Sequence, residues 1–248
     1  MYKEIDNIKT YFHNFESIES NKNSVLFIAG AGMDHKFVRA LNLSNKEFNP
    51  PLVIDLPGHG ESQGSSKNKI EEYSSFLSEA LMDFKISNLT ICGYSMGGLI
   101  ALDLILGKKF PAQSLILLNS IAPMMVSSSL VALANKGNSF AADFIIKYGL
   151  SKNLIGIKNT FPSNTNQMMF DDLTACRTYQ PNEDLFSGIG IPVNIILGGK
   201  DRLIDPDQAE VFARNLSAKI YKIDDAGHFP FFENPIELSN IIESLASP

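Results

Sequence analysis

A serine bordered by glycines stands near the middle of the chain, in the segment Gly93-Tyr94-Ser95-Met96-Gly97-Gly98. A serine hydroxyl is a weak nucleophile unless a base accepts its proton and its oxygen is held clear of the backbone. A sharp turn from a strand into a helix holds the oxygen in this way, and its crowding requires glycine two residues before and two residues after the serine. We therefore predict that Ser95 is a nucleophile, the alternative being a glycine-rich turn with an unreactive serine.

A base for this serine is expected later in the chain. The sequence contains four histidines, of which His13, His35 and His59 precede Ser95. Hydrolases with a serine at such a turn have the nucleophile, the acid and the histidine in that chain order. Only His228 fits this order, so we predict that it is the base. An ordinary surface histidine is the alternative.

The acid that orients the histidine must lie between the two. Asp201 follows the apolar run VNIIL, at the strand end where parallel sheets place functional groups. It could accept the Nδ1–H of His228 and stabilise the imidazolium, so we predict that it is the acid, with a simple turn residue as the alternative. Asp205 is the nearest competitor, but Asp205-Pro206 has the pattern of a helix cap and a first helical residue. Asn119, at an earlier strand end, cannot serve as a carboxylate.

An acyl-transfer reaction also needs N–H donors for the oxyanion of its intermediate. One donor should be the backbone N–H of Met96, the residue after the serine, and the other should come from a loop after an earlier strand. In this chain that loop is Gly30-Ala31-Gly32-Met33, which makes Ala31 the candidate second donor. The glycines of the loop could instead indicate nucleotide binding. That pattern is weak without a third glycine at the right distance and an acidic residue that closes a second strand.

The elements that must position these residues alternate between strands and helices. Six short runs are apolar on both faces, as interior strands of a parallel sheet are: Val25–Ala29, Leu52–Ile54, Leu89–Cys92, Leu115–Leu118, Val193–Leu197 and Ile220–Ile223. Helical spacing marks four stretches between them: Ile70–Phe84, Met96–Leu106, Asp205–Leu216 and Pro235–Leu245. A hairpin of Tyr2–Ile5 and Ile8–Phe12 precedes them. The alternation predicts an α/β fold with a doubly wound, mostly parallel sheet.

This alternation stops between residues 124 and 187, where three helical stretches follow one another: SLVALANKG, SFAADFIIKYGL and QMMFDDLTACRTY. Structureless loops beyond about 15 residues are uncommon in compact domains, so an ordered insertion is expected. We predict a helical lid over residues 124–187, inserted in a core domain of residues 1–123 and 188–248. Methionine and phenylalanine side chains of the lid either line an apolar pocket or only attach the lid to the core: Met124, Met125, Phe140, Phe144, Phe161, Met168, Met169 and Phe170.

Charge and composition argue against several other classes of protein. The net charge is −6, and no stretch gathers the basic residues that binding to nucleic acid or to an anionic membrane needs. No apolar run approaches the roughly 20 residues of a membrane helix, and the amino terminus lacks the apolar core of a signal peptide. Of the two cysteines, Cys92 lies in an apolar run where a reduced, buried thiol is usual. We expect a cytoplasmic protein without nucleic-acid or membrane partners.

Four segments give the chain a resemblance to the α/β-hydrolase family, and specifically to its lidded serine esterases: GYSMGG, DLPGHGES, GGKDRLIDP and GHFPFFENP. The resemblance implies the fold of that family, a lid between the sixth and seventh strands of the full sheet, and acyl chemistry without a cofactor or metal. It also implies a structural role for His59, in the turn after the fourth strand. One position departs from the family, which has His-Gly at the start of the oxyanion loop where this chain has Ala29-Gly30.

Together these residues predict a hydrolase that cleaves carboxylic esters of small or medium acyl substrates through an acyl-enzyme on Ser95. Hydrolysis of thioesters, lactones or carbon–carbon bonds would use the same side chains, and the lid would decide among them. Arg177 could bind an acidic substrate, although a solvated arginine is the simpler interpretation. A small-molecule receptor on the same fold is a further alternative, with slow or single turnover. We expect a monomer or homodimer whose partner is a small-molecule ester.

Overall fold

An eight-stranded sheet forms the centre of the protein in the computed structural model, which describes residues 1–43, 45–86, 88–136, 139–152, 154, 157 and 166–247. The strands are β1 Tyr2–Ile5, β2 Ile8–His13, β3 Ser24–Ile28, β4 Leu52–Ile54, β5 Leu89–Tyr94, β6 Ser114–Leu118, β7 Val193–Gly198 and β8 Lys219–Ile223. Their order across the sheet is β1-β2-β4-β3-β5-β6-β7-β8. Pairing is antiparallel for β1 with β2 and for β2 with β4, and parallel from β4 to β8. The prediction of a doubly wound, mostly parallel sheet is confirmed.

The central strands form where the sequence is apolar on both faces. All residues of β3, β4, β5 and β6 are buried, as is typical of parallel strands that are covered by helices on both sides. β8 lies at the edge of the sheet, and only Ile223 of this strand is buried. The six predicted runs coincide with β3 to β8 to within two residues at each end.

The amino-terminal hairpin also forms where the sequence predicts it. Asp6 and Asn7 join β1 to β2 with φ angles of 48° and 59°. Left-handed backbone at both residues suits a two-residue hairpin loop, and Asp and Asn adopt it more readily than most other residues. The hairpin extends the sheet beyond β4 through the residue pairs Phe12–Ile54 and His13–Val53.

The helices connect the strands on both sides of the sheet. They are α1 Ile70–Leu81, α2 Met96–Leu106, α3 Ser128–Asn135, α4 Phe140–Gly149, α5 Asn166–Thr178, α6 Pro206–Leu216, α7 Pro230–Glu233 and α8 Pro235–Ala246. Short 3₁₀ helices cover Phe15–Ser17, His35–Ala40 and Glu183–Gly188. The predicted helices α2, α6 and α8 agree to within one residue at each end, whereas α7 and the 3₁₀ helices were not predicted.

Helix α1 is shorter than its apolar spacing predicts, since it ends at Leu81 and not at Phe84. Phe84 packs instead against Phe12 and Phe15, at ring-centroid distances of 5.3 and 4.7 Å. Its N–H donates to the carbonyl of Leu81 in a tight turn. Packing against the amino-terminal hairpin therefore overrides the local helical spacing, as tertiary contacts often do.

Two buried clusters attach the helices to the sheet. One cluster joins α1, α2 and α6 to one face and includes Tyr73, Leu99 and Phe212. The other joins the 3₁₀ helix His35–Ala40 and α8 to the opposite face and includes Ile242. Because both faces are covered, functional side chains are expected beyond the carboxyl ends of the strands.

The connection between β6 and β7, called the insertion below, contains α3, α4 and α5. Among its apolar side chains Met168 and Met169 are buried, whereas Met125 and Phe140 are 74% and 50% exposed. Phe161, and Gly137 of the first predicted stretch, lie outside the described residues. The function of the insertion as a lid, and its boundaries at residues 124 and 187, remain predictions.

Both cysteines are buried free thiols, as expected for Cys92. Burial raises the pKa of the Cys92 thiol, and burial together with the nearby charge of Asp172 raises the pKa of Cys176. Both thiols are therefore protonated near neutral pH. Within the described ranges, no helix combines the length and the apolar character needed to cross a membrane.

Candidate active site

Three loops at the carboxyl edge of the sheet carry the side chains predicted as nucleophile, acid and base. Ser95 follows β5, Asp201 follows β7 and His228 follows β8. These strands are parallel, and only β6 separates β5 from β7, so the three loops leave the sheet at the same edge. The structure brings the three side chains together although Ser95 and His228 are 133 positions apart in the chain.

The turn that carries Ser95 leaves no room for side chains at two glycines. Ser95 has φ 50° and ψ −117°, a strained conformation that costs a non-glycine residue about 1–3 kcal/mol. A Cβ atom on Gly93 would lie 2.2 Å from the carbonyl oxygen of Gly97, and one on Gly97 would lie 2.1 Å from that of Ile28. Both contacts are with backbone, so the glycines are required by the close approach of β5, α2 and β3.

His228 bridges the serine and the aspartate. Its Nε2 lies 3.1 Å from Ser95 Oγ, and its Nδ1 lies 2.7 Å from Asp201 Oδ2. A carboxylate only accepts, so Nδ1 donates its hydrogen and Nε2 keeps a lone pair for the serine proton. The side chains of His228 and Asp201 are 6% and 2% exposed, which makes their attraction stronger than in water. The arrangement can take the proton from Ser95 when its oxygen attacks an electrophile.

Asp201 is held in place by backbone, and its competitor serves another purpose. The second oxygen of Asp201, Oδ1, accepts the N–H of Leu203 at 2.8 Å. The Asp205 carboxylate instead accepts two backbone N–H groups in the first turn of α6, directly before Pro206. The prediction that Asp205 caps this helix is confirmed, and Asp201 is the carboxylate that faces the histidine.

Asn119 ties the loops of the site to the sheet. It is fully buried after β6, and its Nδ2 donates to the carbonyl of Gly227 at 2.9 Å. Its Oδ1 accepts the N–H of Gly198, at the end of β7, at 2.8 Å. The sequence excluded Asn119 as the acid but did not indicate these two hydrogen bonds. The bond to Gly227 fixes the residue directly before His228.

A buried carboxylate that the sequence analysis missed holds the backbone around His228. Glu233 is 5% exposed and accepts the N–H groups of Gly227 and Phe229, the two neighbours of His228, at 2.8 and 3.3 Å. It also accepts the N–H of Ser151 at 2.7 Å. The sequence offered one indication of this role: Glu233 is the single acidic residue of an otherwise apolar segment. A glutamate that is buried in such a segment usually has polar partners.

The carboxyl end of α4 contacts the same two loops. The carbonyl of Gly149 accepts the N–H of His228 at 2.6 Å. The guanidinium of Arg202, next to Asp201, donates to three carbonyls at the end of α4. The last carbonyls of a helix lack partners inside it, and a cation there also interacts favourably with the helix dipole. The insertion is therefore attached directly to the loops of the acid and the base.

Of the two predicted oxyanion donors, Met96 follows Ser95 directly in the chain, and Ala31 belongs to a loop that adjoins Ser95 in space. Met96 is the first residue of α2. The loop of Ala31 adjoins the serine, since a Cβ atom on Gly30 would lie 3.3 Å from Ser95 Cβ. Among the described residues, neither the Ala31 N–H nor the Met96 N–H donates to an acceptor in the protein. Their function as oxyanion donors remains a prediction.

Helix α5 anchors the loop of residues 30–33, the predicted oxyanion loop, through a carboxylate that the sequence analysis also missed. Asp172 accepts the Gly32 N–H at 2.8 Å, the His59 Nε2–H at 2.9 Å and the Tyr73 hydroxyl at 2.6 Å. His59 also donates from Nδ1 to the carbonyl of Pro57 at 3.0 Å, so both ring nitrogens carry hydrogen and the ring is cationic. Burial alone would lower the pKa of His59, but the charge and hydrogen bond of Asp172 raise it above its usual value.

The other two histidines form a separate contact. His35 is buried, with Nδ1 2.8 Å from Asp55 Oδ2, and the ring of His13 lies 4.8 Å from that of His35 between centroids. Burial, aided by repulsion from His35, lowers the pKa of His13. In the described structure neither ring is hydrogen-bonded to Ser95 or Asp201.

Aromatic rings line one side of the base. Tyr94 lies with its ring centroid 5.3 Å from that of His228 and 4.7 Å from that of Phe231. Burial and the charges of Asp201 and Glu233 raise the pKa of Tyr94 well above its usual value. Its phenol therefore remains neutral at any physiological pH.

Two further expectations concern ligands. Arg177, considered as a cation for an acidic substrate, is exposed near the carboxyl end of α5. In the part of the chain that the structure describes, no group of three or more His, Cys, Asp or Glu side chains is arranged to hold a metal ion.

Comparison with known proteins agrees with this fold. Residues 25–240 match the Alpha/beta hydrolase family, and the chain belongs to that family, as an esterase-like member. A Mycoplasma genitalium protein provisionally named esterase/lipase 2 is 27% identical over 236 residues, which cover 88% of this chain and 86% of the relative. A pimeloyl-acyl-carrier-protein methyl ester esterase of Aromatoleum aromaticum is 26% identical over 216 residues, which cover 77% and 84%.

The fold is also found in solved structures of low sequence identity. The structure of an esterase from Exiguobacterium antarcticum aligns with a TM-score of 0.85 at 18% identity, over 99% of this chain and 98% of that one. At this identity the likeness concerns the fold alone.

Proposed function

We propose that the protein is a serine hydrolase that cleaves carboxylic esters of small or medium acyl groups. The observation that carries this proposal is the chain of hydrogen bonds from Ser95 Oγ through His228 to Asp201, 3.1 and 2.7 Å long. The strained turn at Ser95 supports it, because such a turn holds the hydroxyl clear of the backbone. The esterase names of two relatives support an ester as the substrate class.

In the proposed reaction, Ser95 Oγ attacks the ester carbonyl carbon while His228 Nε2 accepts the hydroxyl proton. Asp201 keeps Nδ1 protonated and stabilises the imidazolium. The N–H groups of Ala31 and Met96 stabilise the oxyanion. His228 then gives the proton to the leaving alcohol oxygen as the ester C–O bond breaks, which leaves an acyl-enzyme. Water that loses a proton to His228 attacks the acyl carbon; the bond from this carbon to Ser95 Oγ then breaks as His228 returns the proton to Ser95, which releases the carboxylic acid.

Replacement of the nucleophile tests the proposal. Ser95→Ala should lower the hydrolysis of a p-nitrophenyl ester by at least about 10⁴-fold, without a fall in the unfolding temperature. A fluorophosphonate probe should label the wild-type protein, and mass spectrometry should locate the adduct on Ser95. Ser120→Ala is the matched control, because Ser120 is a nearby buried serine whose hydroxyl has no hydrogen-bond partner in the described structure. Equal hydrolysis by wild type and Ser95→Ala would refute the proposal.

The same assay separates an enzyme from a receptor built on this fold. An esterase releases many equivalents of p-nitrophenol per protein molecule at a constant rate, whereas a receptor releases about one equivalent and stops. A single burst without steady turnover, across p-nitrophenyl esters of two to eight carbons, would contradict the esterase proposal.

A further inference from the structure

A buried ion pair outside the proposed catalytic residues connects the insertion to the core. Asp172 lies on α5 and His59 lies in the turn after β4, and both side chains are 0% exposed. Their Oδ2 and Nε2 atoms are 2.9 Å apart. Burying two charges is costly even when they are paired, and the catalytic steps proposed above do not use this pair. The pair lies next to the oxyanion loop, and this loop is therefore the element that it can affect.

The Asp172 carboxylate reaches beyond its histidine to that loop. The same Oδ2 atom accepts the N–H of Gly32 at 2.8 Å. Gly32 is the third residue of a turn that the Met33 N–H closes on the carbonyl of Gly30 at 3.1 Å, and its φ angle is 69°. A type II turn requires a positive φ at this position. The peptide between Ala31 and Gly32, at the centre of the turn, is therefore held by a charged acceptor.

We propose that Asp172, held in place by His59, is a positioning residue for the oxyanion loop; this inference rests on the proposed function. Rotation of the central peptide interconverts turn types while the chain path changes little. That rotation would turn the Gly32 N–H away from Asp172 and remove the charged acceptor of this buried donor. Without this bond the turn is also free to shift as a unit, and the adjoining peptide, which carries the Ala31 N–H, would shift with it. The carboxylate thus keeps the Ala31 donor directed beside Ser95.

The departure from the family pattern lies in the same loop. Ala29 stands where the α/β hydrolases resembled by this chain have histidine, and an alanine side chain cannot form a hydrogen bond within the loop. The bond from Gly32 to Asp172 supplies the loop with a polar anchor from another element. Because Asp172 belongs to α5, the oxyanion loop is held in this conformation only while the insertion is packed on the core.

Asp172→Asn tests the positioning role with little change in shape. The amide oxygen that replaces Oδ2 carries no negative charge, so it accepts from Gly32 and His59 more weakly than the carboxylate does, and the amide nitrogen cannot accept the Tyr73 hydroxyl. For p-nitrophenyl ester hydrolysis, kcat should fall about 10- to 100-fold, while KM changes less than about threefold. The affinity for a trifluoromethyl ketone, which forms a tetrahedral adduct with a serine, should fall by the same factor as kcat/KM.

Two further variants separate positioning from a loss of stability. Thr90→Val removes the buried 2.8 Å hydrogen bond to Ser114 at the amino end of β5, so it should lower stability and leave kcat unchanged. The double variant His59→Leu/Asp172→Ala replaces the ion pair by apolar side chains of similar total volume, which buried pairs often tolerate. It should fold, and it should lose kcat as Asp172→Asn does. Where Asp172→Asn fails to fold, the double variant still tests the positioning role.

An unchanged kcat in either folded Asp172 variant overturns the proposal, and so does an equal loss of kcat in Thr90→Val. Labelling with the fluorophosphonate distinguishes this failure from that of the proposed function. A wild-type protein that is not labelled on Ser95 refutes the serine nucleophile. A labelled wild type with an unimpaired Asp172→Asn variant refutes only the positioning role.

Discussion

At the scale of single residues, two carboxylates act on His228, one on the tautomer of its ring and the other on the position of its backbone. Asp201 faces the ring and selects the tautomer with hydrogen on Nδ1. Glu233 forms no hydrogen bond with the His228 ring in the described structure; it accepts the backbone N–H groups of Gly227 and Phe229 on either side. One carboxylate therefore determines where the ring carries its hydrogen, and the other determines where the ring is held. The two effects can be measured separately.

Asp201→Asn should lower kcat by on the order of 10⁴-fold. The amide would donate to Nδ1 of His228 and shift the ring hydrogen to Nε2, which could then no longer accept the Ser95 proton. The unfolding temperature should change little, because asparagine Oδ1 can still accept the Leu203 N–H. Steady-state hydrolysis of a p-nitrophenyl ester measures the loss. Asp205→Asn is the control, since asparagine caps helices as well as aspartate does; equal rates in both variants would contradict the assignment.

Glu233→Gln should lower both stability and kcat. Glutamine has one acceptor oxygen where the carboxylate has two, so either the N–H groups beside His228 or the Ser151 N–H would face an amide N–H group. We expect a loss of about 1–3 kcal/mol in the free energy of unfolding, measured in urea. The accompanying shift of the His228 loop should reduce kcat more than it raises KM. Glu243→Gln, at a half-buried glutamate that accepts the Asn45 N–H, should leave both quantities near wild type.

At the scale of elements, the site depends on how closely three of them approach one another. The space between β5, α2 and β3 admits only hydrogen at Gly93 and Gly97. This approach forces the strained backbone of Ser95, and the packing of a buried strand and helix maintains it. The glycines around Ser95 are thus required by packing as much as by the proposed chemistry of the serine.

Gly97→Ala should lower the free energy of unfolding by about 3 kcal/mol or more, because the added methyl group would overlap backbone that cannot move aside cheaply. Gly190→Ala provides the comparison, since a Cβ atom there would have no atom within 4 Å, and its effect should stay within about 1 kcal/mol. Urea denaturation followed by circular dichroism measures both. Similar urea midpoints for the two variants would show that the turn at Ser95 is less tightly packed than the structure indicates.

At the scale of the whole molecule, thiol reactivity should report opening of the core. Cys92 lies in the central strand β5 and Cys176 on α5, and burial raises the pKa of both thiols. Since the thiolate is the reactive form, neither should react with Ellman's reagent at pH 8 while the protein is folded. Two equivalents should react at once in guanidinium chloride. Rapid reaction of Cys176 alone would show that the insertion opens independently of the sheet.

The sequence by itself determined the features that depend on neighbours in the chain. Apolar runs and helical spacing predict β3 to β8 and most helices, because burial follows the period of each element. The glycines around Ser95 predict the turn, because that crowding arises within a few residues. The order of serine, aspartate and histidine then singles out Asp201 and His228, and the structure brings His228 within hydrogen-bonding distance of both Asp201 and Ser95.

Only the tertiary structure decided which buried charges hold these residues. Asp172 meets His59 and Gly32 across 113 and 140 positions, and Glu233 meets Ser151 across 82. No period or local spacing encodes such contacts, since they arise from how the insertion packs on the core. Phe84 likewise leaves its predicted helix through a tertiary contact, its packing against Phe12 and Phe15. A carboxylate in an apolar segment indicates that a partner exists, but its identity depends on the fold.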